Sequence, residues 1–288
     1  MNEQDILRRF IFEELGVRGE WLRLEQSWQS AKQHQQGNAQ AHTLLGQALV
    51  AAVLLSATVK FKGSLIIQAQ GQGPLKTLVA QATHAKTLRG LVRCQDDVPQ
   101  GSLEQVFGEG YLVITIESEN AEPYQGIAPL LGENFAQAIQ TYFDQSEQLP
   151  TRIWLFANAQ HAAGLFLQQL PGSENSKQED WERVCMLANT ITETELFTLS
   201  AEDVLYRLFN EDQVRIFDAE PVSFACNCSN QKIENTLFSL GRAELEIILE
   251  EQELVEVVCE FCSHRYTFDR VDVERILMTG LSNNDTRH

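Results

Sequence analysis

Basic residues are scarce in this 288-residue chain: 22 Lys and Arg face 40 Asp and Glu, for a formal charge of −18 and a pI near 4.7. That deficit argues against a nucleic-acid partner, because phosphate contacts need clustered Lys and Arg. A secretory leader is not expected either. Met1 to Phe10 (MNEQDILRRF) spreads charges through the stretch where an apolar run and a small-residue cleavage site would stand. Long apolar runs are missing too. The longest, Leu44 to Val59, is broken by Gly46, Gln47 and Ser56. It falls short of the ~20 residues a membrane helix needs, so it reads as a buried helix. These absences predict a cytoplasmic protein without membrane contact, in which the six cysteines persist as thiols or metal ligands. Catalytic signatures are also lacking: there is no G-x-S-x-G and no H-E-x-x-H. No active site is read, and the chain is expected not to be an enzyme.

With 43% hydrophobic residues the chain has ample material for packed cores. Residues 1–172 read as one mixed domain. Ile6 to Leu15 and Thr43 to Val59 have helical spacing. Ser64 to Gln70 and Leu75 to Gln81 read as a hairpin about Gly71-Gln72-Gly73-Pro74, and Leu88 to Arg93, Tyr111 to Glu117 and Tyr124 to Leu130 read as further strands. Glu133 to Phe143 is an amphipathic helix, and Arg152 to Ala157 and Ala163 to Leu170 close the domain as strands. Strands with interspersed helices predict an α+β fold.

Pro171-Gly172-Ser173-Glu174-Asn175-Ser176 marks a boundary. Residues 173–225 beyond it carry 12 acids against four bases. Trp181 to Ala188 reads as a short helix, and Ser200-Ala201-Glu202-Asp203 has the capping-box form before the apolar run Val204 to Phe209. An acidic helical connector, lightly docked, is the expectation.

The strongest chemical signal is Cys226-Asn227-Cys228, thirty residues, then Cys259-Glu260-Phe261-Cys262. Two close thiol pairs match a tetrahedral all-cysteine zinc site, whereas iron–sulfur ligation more often groups three cysteines. A terminal domain at 226–288, with two short helices (Ile233 to Leu240, Ala243 to Glu250) and a strand (Leu254 to Val258), has a small core. Metal binding on the order of 10–16 kcal/mol would decide whether it folds. Such a site is either inert and structural or a redox switch in which oxidation removes the ligands and unfolds the domain. Spacing alone leaves both open.

Other residues carry less. Gly71-Gln72-Gly73 reads as a turn, and Cys94 and Cys185 as small apolar residues. His34, His42, His84 and His161 are scattered, and four cysteines leave His264 without a place as a ligand. A thiol–disulfide oxidoreductase built on Cys259 and Cys262 would need a thioredoxin-like βαβ context, and none is read. A zinc-ribbon adaptor for RNA would need a basic face, yet residues 226–288 hold 12 acids and six bases.

The cysteine pattern joins longer stretches: LLGQALVAAVLLSATVKFKGSLIIQAQGQGPLKTLVAQ (44–81), GYLVITIESENAEPYQGIAPL (110–130), YFDQSEQLPTRIWL (142–155) and AAGLFLQQLPG (162–172). Together they resemble the redox-regulated holdase chaperones of the thirty-three-kilodalton heat-shock family, over nearly the whole chain. Ala162-Ala163-Gly164 departs from a pattern that often holds a further glycine. The resemblance implies three parts: an N-terminal α/β domain (1–172), a metastable linker (173–225) and a zinc redox-switch domain (226–288). It implies one zinc per chain on Cys226, Cys228, Cys259 and Cys262 when reduced, with little chaperone activity. Oxidation would pair Cys226 with Cys228 and Cys259 with Cys262, release zinc and loosen the linker. Apolar positions such as Leu187, Ile191, Leu196, Phe197, Leu205 and Phe209 would then bind unfolding client proteins without ATP, in a form that tends to dimerise.

Overall fold

The computed structural model describes residues 4–59, 62–119, 121–147, 149–171 and 178–284. The boundary expected at Pro171 to Ser176 therefore lies, beyond Pro171, outside the described residues. The chain forms two compact units, Met1–Ala225 and Cys226–His288, and both mix helices and strands.

In the first unit β1 (Ile6–Phe12) and β2 (Val17–Leu24) precede α1 (Gln26–Lys32) and α2 (Ala39–Thr58). A meander of β3 (Gly63–Gly71), β4 (Leu75–Thr83) and β5 (Thr87–Cys94) follows, then α3 (Leu103–Phe107), β6 (Gly110–Ser118) and β7 (Ala121–Pro129). α4 (Phe135–Tyr142) runs into a π-helical turn at Phe143–Glu147, and β8 (Thr151–Ala157) pairs with β9 (Ala162–Gln169). The unit ends with α5 (Gln178–Ala188), α6 (Glu193–Thr198), α7 (Ala201–Phe209) and three short strands, β10 (Val214–Ile216), β11 (Glu220–Pro221) and β12 (Ser223–Phe224).

Two six-stranded sheets result. One has the order β10-β1-β2-β9-β8, with β11 also on β1; the other runs β12-β5-β4-β3-β6-β7. All pairings are antiparallel except that of β12 with β5. Helix α2 lies between the sheets. Its N-cap Asn38 accepts from the Ala41 N–H, and thirteen of its twenty residues are buried. A helix without a polar face must be covered all round. Here the β2-β9-β8 side covers one flank and β3-β4-β5 the other. By length and composition α2 would cross a membrane, but 72% of its apolar stretch is buried inside the protein. It is longer than the sequence suggested, and it is a core helix. Close packing requires glycine on both flanks. A Cβ on Gly164 of β9 would lie 2.6 Å from Val50 Cγ1, and one on Gly90 of β5 would lie 2.9 Å from Leu45 Cδ1.

The first strand corrects the sequence reading. Ile6 to Leu15 was expected as a helix; Ile6–Phe12 is instead a strand buried on both faces, with Leu7 in the α2 core and Phe10 and Phe12 in a second core. A strand covered on both sides loses its alternation, and periodicity then cannot separate it from a helix. The same effect hides β2, which is buried at every position but Arg18 and yet carries Glu20 and Arg23.

The second core lies on the other face of the β1-β2-β9 sheet. There Phe12, Trp21 and Leu165 pack with Trp181, Val184, Leu196, Val204 and Leu208 of α5–α7. The expectation of light docking for this acidic segment does not hold. Its acids meet arginines, Arg8 with Glu202 at 3.0 Å and Arg9 with Glu220 at 2.6 Å, and the buried Arg23 donates to the Phe197 and Leu199 carbonyls at 3.2 and 2.9 Å. Charge composition alone hid this, because the partners come from elsewhere in the chain.

The second unit comprises α8 (Asn230–Leu240), α9 (Arg242–Gln252), the hairpin β13 (Val255–Val258) and β14 (Arg265–Phe268), and α10 (Arg270–Asn284). Its core is small: Leu237, Leu245, Leu249, Val255, Tyr266, Phe268, Val273, Ile276 and Leu277 pack around Cys259.

Candidate metal centre

The four cysteines meet at the edge of that small core. Cys259 and Cys262 sit in the tip of the β13–β14 hairpin, where the Cys259 N–H donates to the His264 carbonyl (2.9 Å) and the Ser263 N–H to the Cys259 carbonyl (2.7 Å). Closing this knuckle puts Ser263 at φ 56°, in the left-handed region. Cys226 and Cys228 come from the segment entering α8. Ser229 caps that helix by accepting from the Lys232 N–H, and the Lys232 ammonium donates to the Asn227 carbonyl between the two cysteines at 2.9 Å. Local backbone and cap hydrogen bonds thus hold each pair within its own segment.

The Sγ atoms of Cys226 and Cys259 are 3.7 Å apart, those of Cys228 and Cys262 3.5 Å, and all four lie within 4.8 Å of one another. Zn–S bonds of about 2.3 Å in a tetrahedron require sulfur–sulfur edges of about 3.8 Å, so the cluster has the size of that coordination sphere. The cysteines are free thiols. Burial pushes Cys259 upward and Cys262 up to about 12, with thiol–thiol hydrogen bonds adding to the effect at Cys262. Without a metal, burial therefore favours the protonated form of Cys259 and Cys262. A divalent cation at their centre supplies the positive charge that four clustered thiolates need. The residues fit a metal ion.

Tyr266 was not singled out from sequence. Its hydroxyl is pushed up to about 12, first by a hydrogen bond with Cys228, and such an outer contact orients a ligand sulfur. The available signal was the alternation of β14, whose buried positions are Tyr266 and Phe268. His264 packs edge-on against Tyr266 with ring centroids 4.6 Å apart and stands outside the four-sulfur set.

The remaining candidates do not join the cluster. Cys94 ends β5 against the α2 core, and Cys185 packs in the second core, where burial pushes it up to about 11. His34 stacks on Phe224, and His161 stacks on Phe197 and faces Glu25 at 3.7 Å. His42 and His84 contact the Gln35 and Gly63 carbonyls. Gly71-Gln72-Gly73 forms the β3–β4 turn, tied by the Gly73 N–H to the Phe107 carbonyl at 2.6 Å. Cys259-x-x-Cys262 lies in a hairpin tip and not between a strand and a helix, which removes the context a thioredoxin-like oxidoreductase needs.

Comparison with known proteins gives this arrangement a family. The sequence pattern described as Hsp33 protein matches residues 5–269. The chain belongs to the Hsp33 family. It is 55% identical over 276 residues to the 33 kDa chaperonin of Nitrosococcus oceani, covering 96% of this chain and 95% of that protein. It is also 44% identical over 275 residues to the 33 kDa chaperonin of Hahella chejuensis, covering 94% and 96%. The crystal structure of the 33 kDa chaperonin from Thermotoga maritima superposes with a TM-score of 0.84 over 96% of this chain and 99% of that one. At 24% identity that likeness establishes the α+β fold. As a member of the Hsp33 family the chain is a chaperone, acting on unfolded client proteins, and its four clustered cysteines could hold a metal ion.

Proposed function

We propose that this Hsp33-family chain is an ATP-independent holdase of the cytoplasm, silent when reduced and switched on by oxidation of Cys226, Cys228, Cys259 and Cys262. The observation that carries the reading is a four-sulfur cluster, sized for zinc, at the edge of a small core in a unit of about sixty residues. One zinc per chain would hold the four sulfurs as thiolates, the form nucleophilic towards hypochlorite or peroxide. With hypochlorite, one thiolate of a pair takes up chlorine as hydroxide leaves, and its neighbour then attacks that sulfur and displaces chloride. A disulfide forms, and two electrons have passed to the oxidant.

The sulfur–sulfur distances do not by themselves choose the pairing, since all four atoms are mutual neighbours. The pairing that the family resemblance implies, Cys226 with Cys228 and Cys259 with Cys262, joins sulfurs separated by one and two residues. Two disulfides leave no thiolate to hold a cation, and the small core loses its support.

Residues 173–225 are the second moving part in this reading. Ile191, Leu196, Leu205 and Phe209 are buried, and Leu187 and Phe197 partly so. Covering them agrees with a reduced form that holds clients poorly, and releasing them would expose an apolar surface kept soluble by the twelve acids of the segment. The oxidised form is expected to dimerise.

The test pairs zinc release with suppression of aggregation of a denaturant-unfolded protein, before and after hypochlorite, with molecular mass read alongside. Oxidation should free one zinc per chain, switch on holding and double the mass, and thiol reductant should reverse all three. Equal holding in both states would make the site structural and the chaperone constitutive.

A further inference from the structure

Within the first unit, near the C-terminal end of α2, lies a cavity of about 290 Å³. Leu55 of α2, Leu65 of β3, Ile114 and Ile116 of β6, and Phe143 of the π-helical turn line it, and Arg18 with Gln168 supplies a polar wall. Cavities of about 150 Å³ with aliphatic and aromatic walls stay dry and take up benzene. This one is roughly twice as large, so it has room for a longer apolar body than a single ring. π-helical turns recur at functional sites, and here the turn contributes Phe143 to the wall.

The polar wall is built rather than incidental. Arg18 Nε and Nη2 donate to Gln168 Oε1 at 3.1 and 2.5 Å, and Nη1 donates to the Thr58 carbonyl at 3.2 Å. Gln168, itself only 1% exposed, donates from Nε2 to Thr151 Oγ1 at 2.9 Å, and Thr151 donates to the Leu149 carbonyl at 2.9 Å. These bonds fix the guanidinium at the cavity. They use three of its five N–H groups, and every acceptor is neutral. Glu20, two residues along the same face of β2, gives no counter-charge at neutral pH, because burial pushes its carboxyl up to about 8. A half-buried cation without a counter-ion is costly, and an anion that brings its own apolar body relieves that cost.

We propose that this cavity binds a medium-chain aliphatic carboxylate, with the alkyl chain among Leu55, Leu65, Ile114, Ile116 and Phe143 and the carboxylate on the remaining N–H groups of Arg18. The site owes nothing to the cysteine cluster and does not depend on the redox reading.

The test uses the full-length, reduced, zinc-loaded chain with decanoate below its micelle concentration, followed by titration calorimetry and by methyl chemical shifts. Saturable binding of one decanoate per chain is expected, with shifts concentrated at Leu55, Leu65, Ile114 and Ile116. Decanol, with the same tail and no charge, should bind about tenfold or more weakly. Arg18→Met should bring decanoate down to the level of decanol, and Ile114→Phe, which fills the cavity, should abolish both. Ile114→Phe decides the matter alone should Arg18→Met not fold. No binding, equal affinity for decanol and decanoate, or decanoate binding that survives Ile114→Phe on a general apolar surface would each overturn the proposal.

Discussion

The α2 core and the cysteine unit solve the folding problem with different materials. Around α2, two sheets bury a helix apolar on every side, and the cluster runs from Leu7 to Val222 without a cysteine among its fully buried members. The unit at 226–288 assembles about ten buried residues and completes its core with Cys259, while Cys226, Cys228 and Cys262 pack against the edge. Burial scales with chain length, so the long segment can rely on apolar area and the short one cannot. On the function proposed above, stability in the α2 core rests on apolar area, and stability in the terminal unit would rest on its four sulfurs. If the cluster is the proposed switch, it stands where the core is too small to survive its loss.

Metal removal is the strongest way to break this contrast. A chelator, or Cys262→Ser, should unfold residues 226–284 and leave the α2 core intact, since structural zinc contributes on the order of 10–16 kcal/mol to domains of this kind. Amide exchange read segment by segment checks it: protection should vanish in α8–α10 and persist in α2 and β3–β6. Retained protection in α8–α10 would show that the small core folds unaided, and the contrast would fail.

The parts legible in sequence are those whose signal is local. Paired cysteines name their own chemistry, the β3–β4 hairpin is written in Gly71-Gln72-Gly73-Pro74, and Ser200 caps α7 by accepting from the Asp203 N–H, as its spacing implies. The parts that were misread depend on distant residues. β1 reads as a helix because both its faces are covered, by α2 on one side and α5–α7 on the other. The acidic segment reads as loosely held because Arg8, Arg9 and Arg23, which receive its carboxylates and carbonyls, stand about 170 or more positions earlier. Tyr266 reads as a strand residue, since only the folded hairpin brings it to Cys228.

A smaller effect sharpens the comparison from the other side, through Glu20, the one fully buried acid beside the α2 core among the described residues. Glu20 is held near 8 against an ordinary 4.5, chiefly by burial, with Arg18, Arg9 and Lys86 pulling the other way and Glu220 adding to the rise. A carboxyl raised on folding binds its proton more tightly in the native state. Stability is therefore full below about 4.5 and falls as pH rises to about 8, beyond which it is level. Glu20→Gln should remove that slope and leave the first unit more stable than the parent at pH 8.5, by a few kcal/mol at most. Urea unfolding of the reduced protein at pH 5.5 and 8.5, followed in the α2 core, measures it. An unchanged slope in the variant would mean that the carboxyl is ionised and paired in the native state.

The smallest expected effect lies in the knuckle itself. Ser263 holds φ at 56° so that its N–H can reach the Cys259 carbonyl. A side chain in that region costs roughly 1–2 kcal/mol, which glycine avoids. Glycine also loses more freedom on folding, which returns about 0.4–1 kcal/mol of the gain. Ser263→Gly should therefore stabilise the closed knuckle by about 0.5–1 kcal/mol, read as zinc affinity two- to fivefold tighter in competition with a chromophoric chelator. Activation by peroxide should slow in step, because the sulfurs leave the closed cluster less often. An affinity unchanged or weakened by glycine would show that the Ser263 side chain returns its strain through a contact of its own, and the left-handed turn would then be no weak point of the switch.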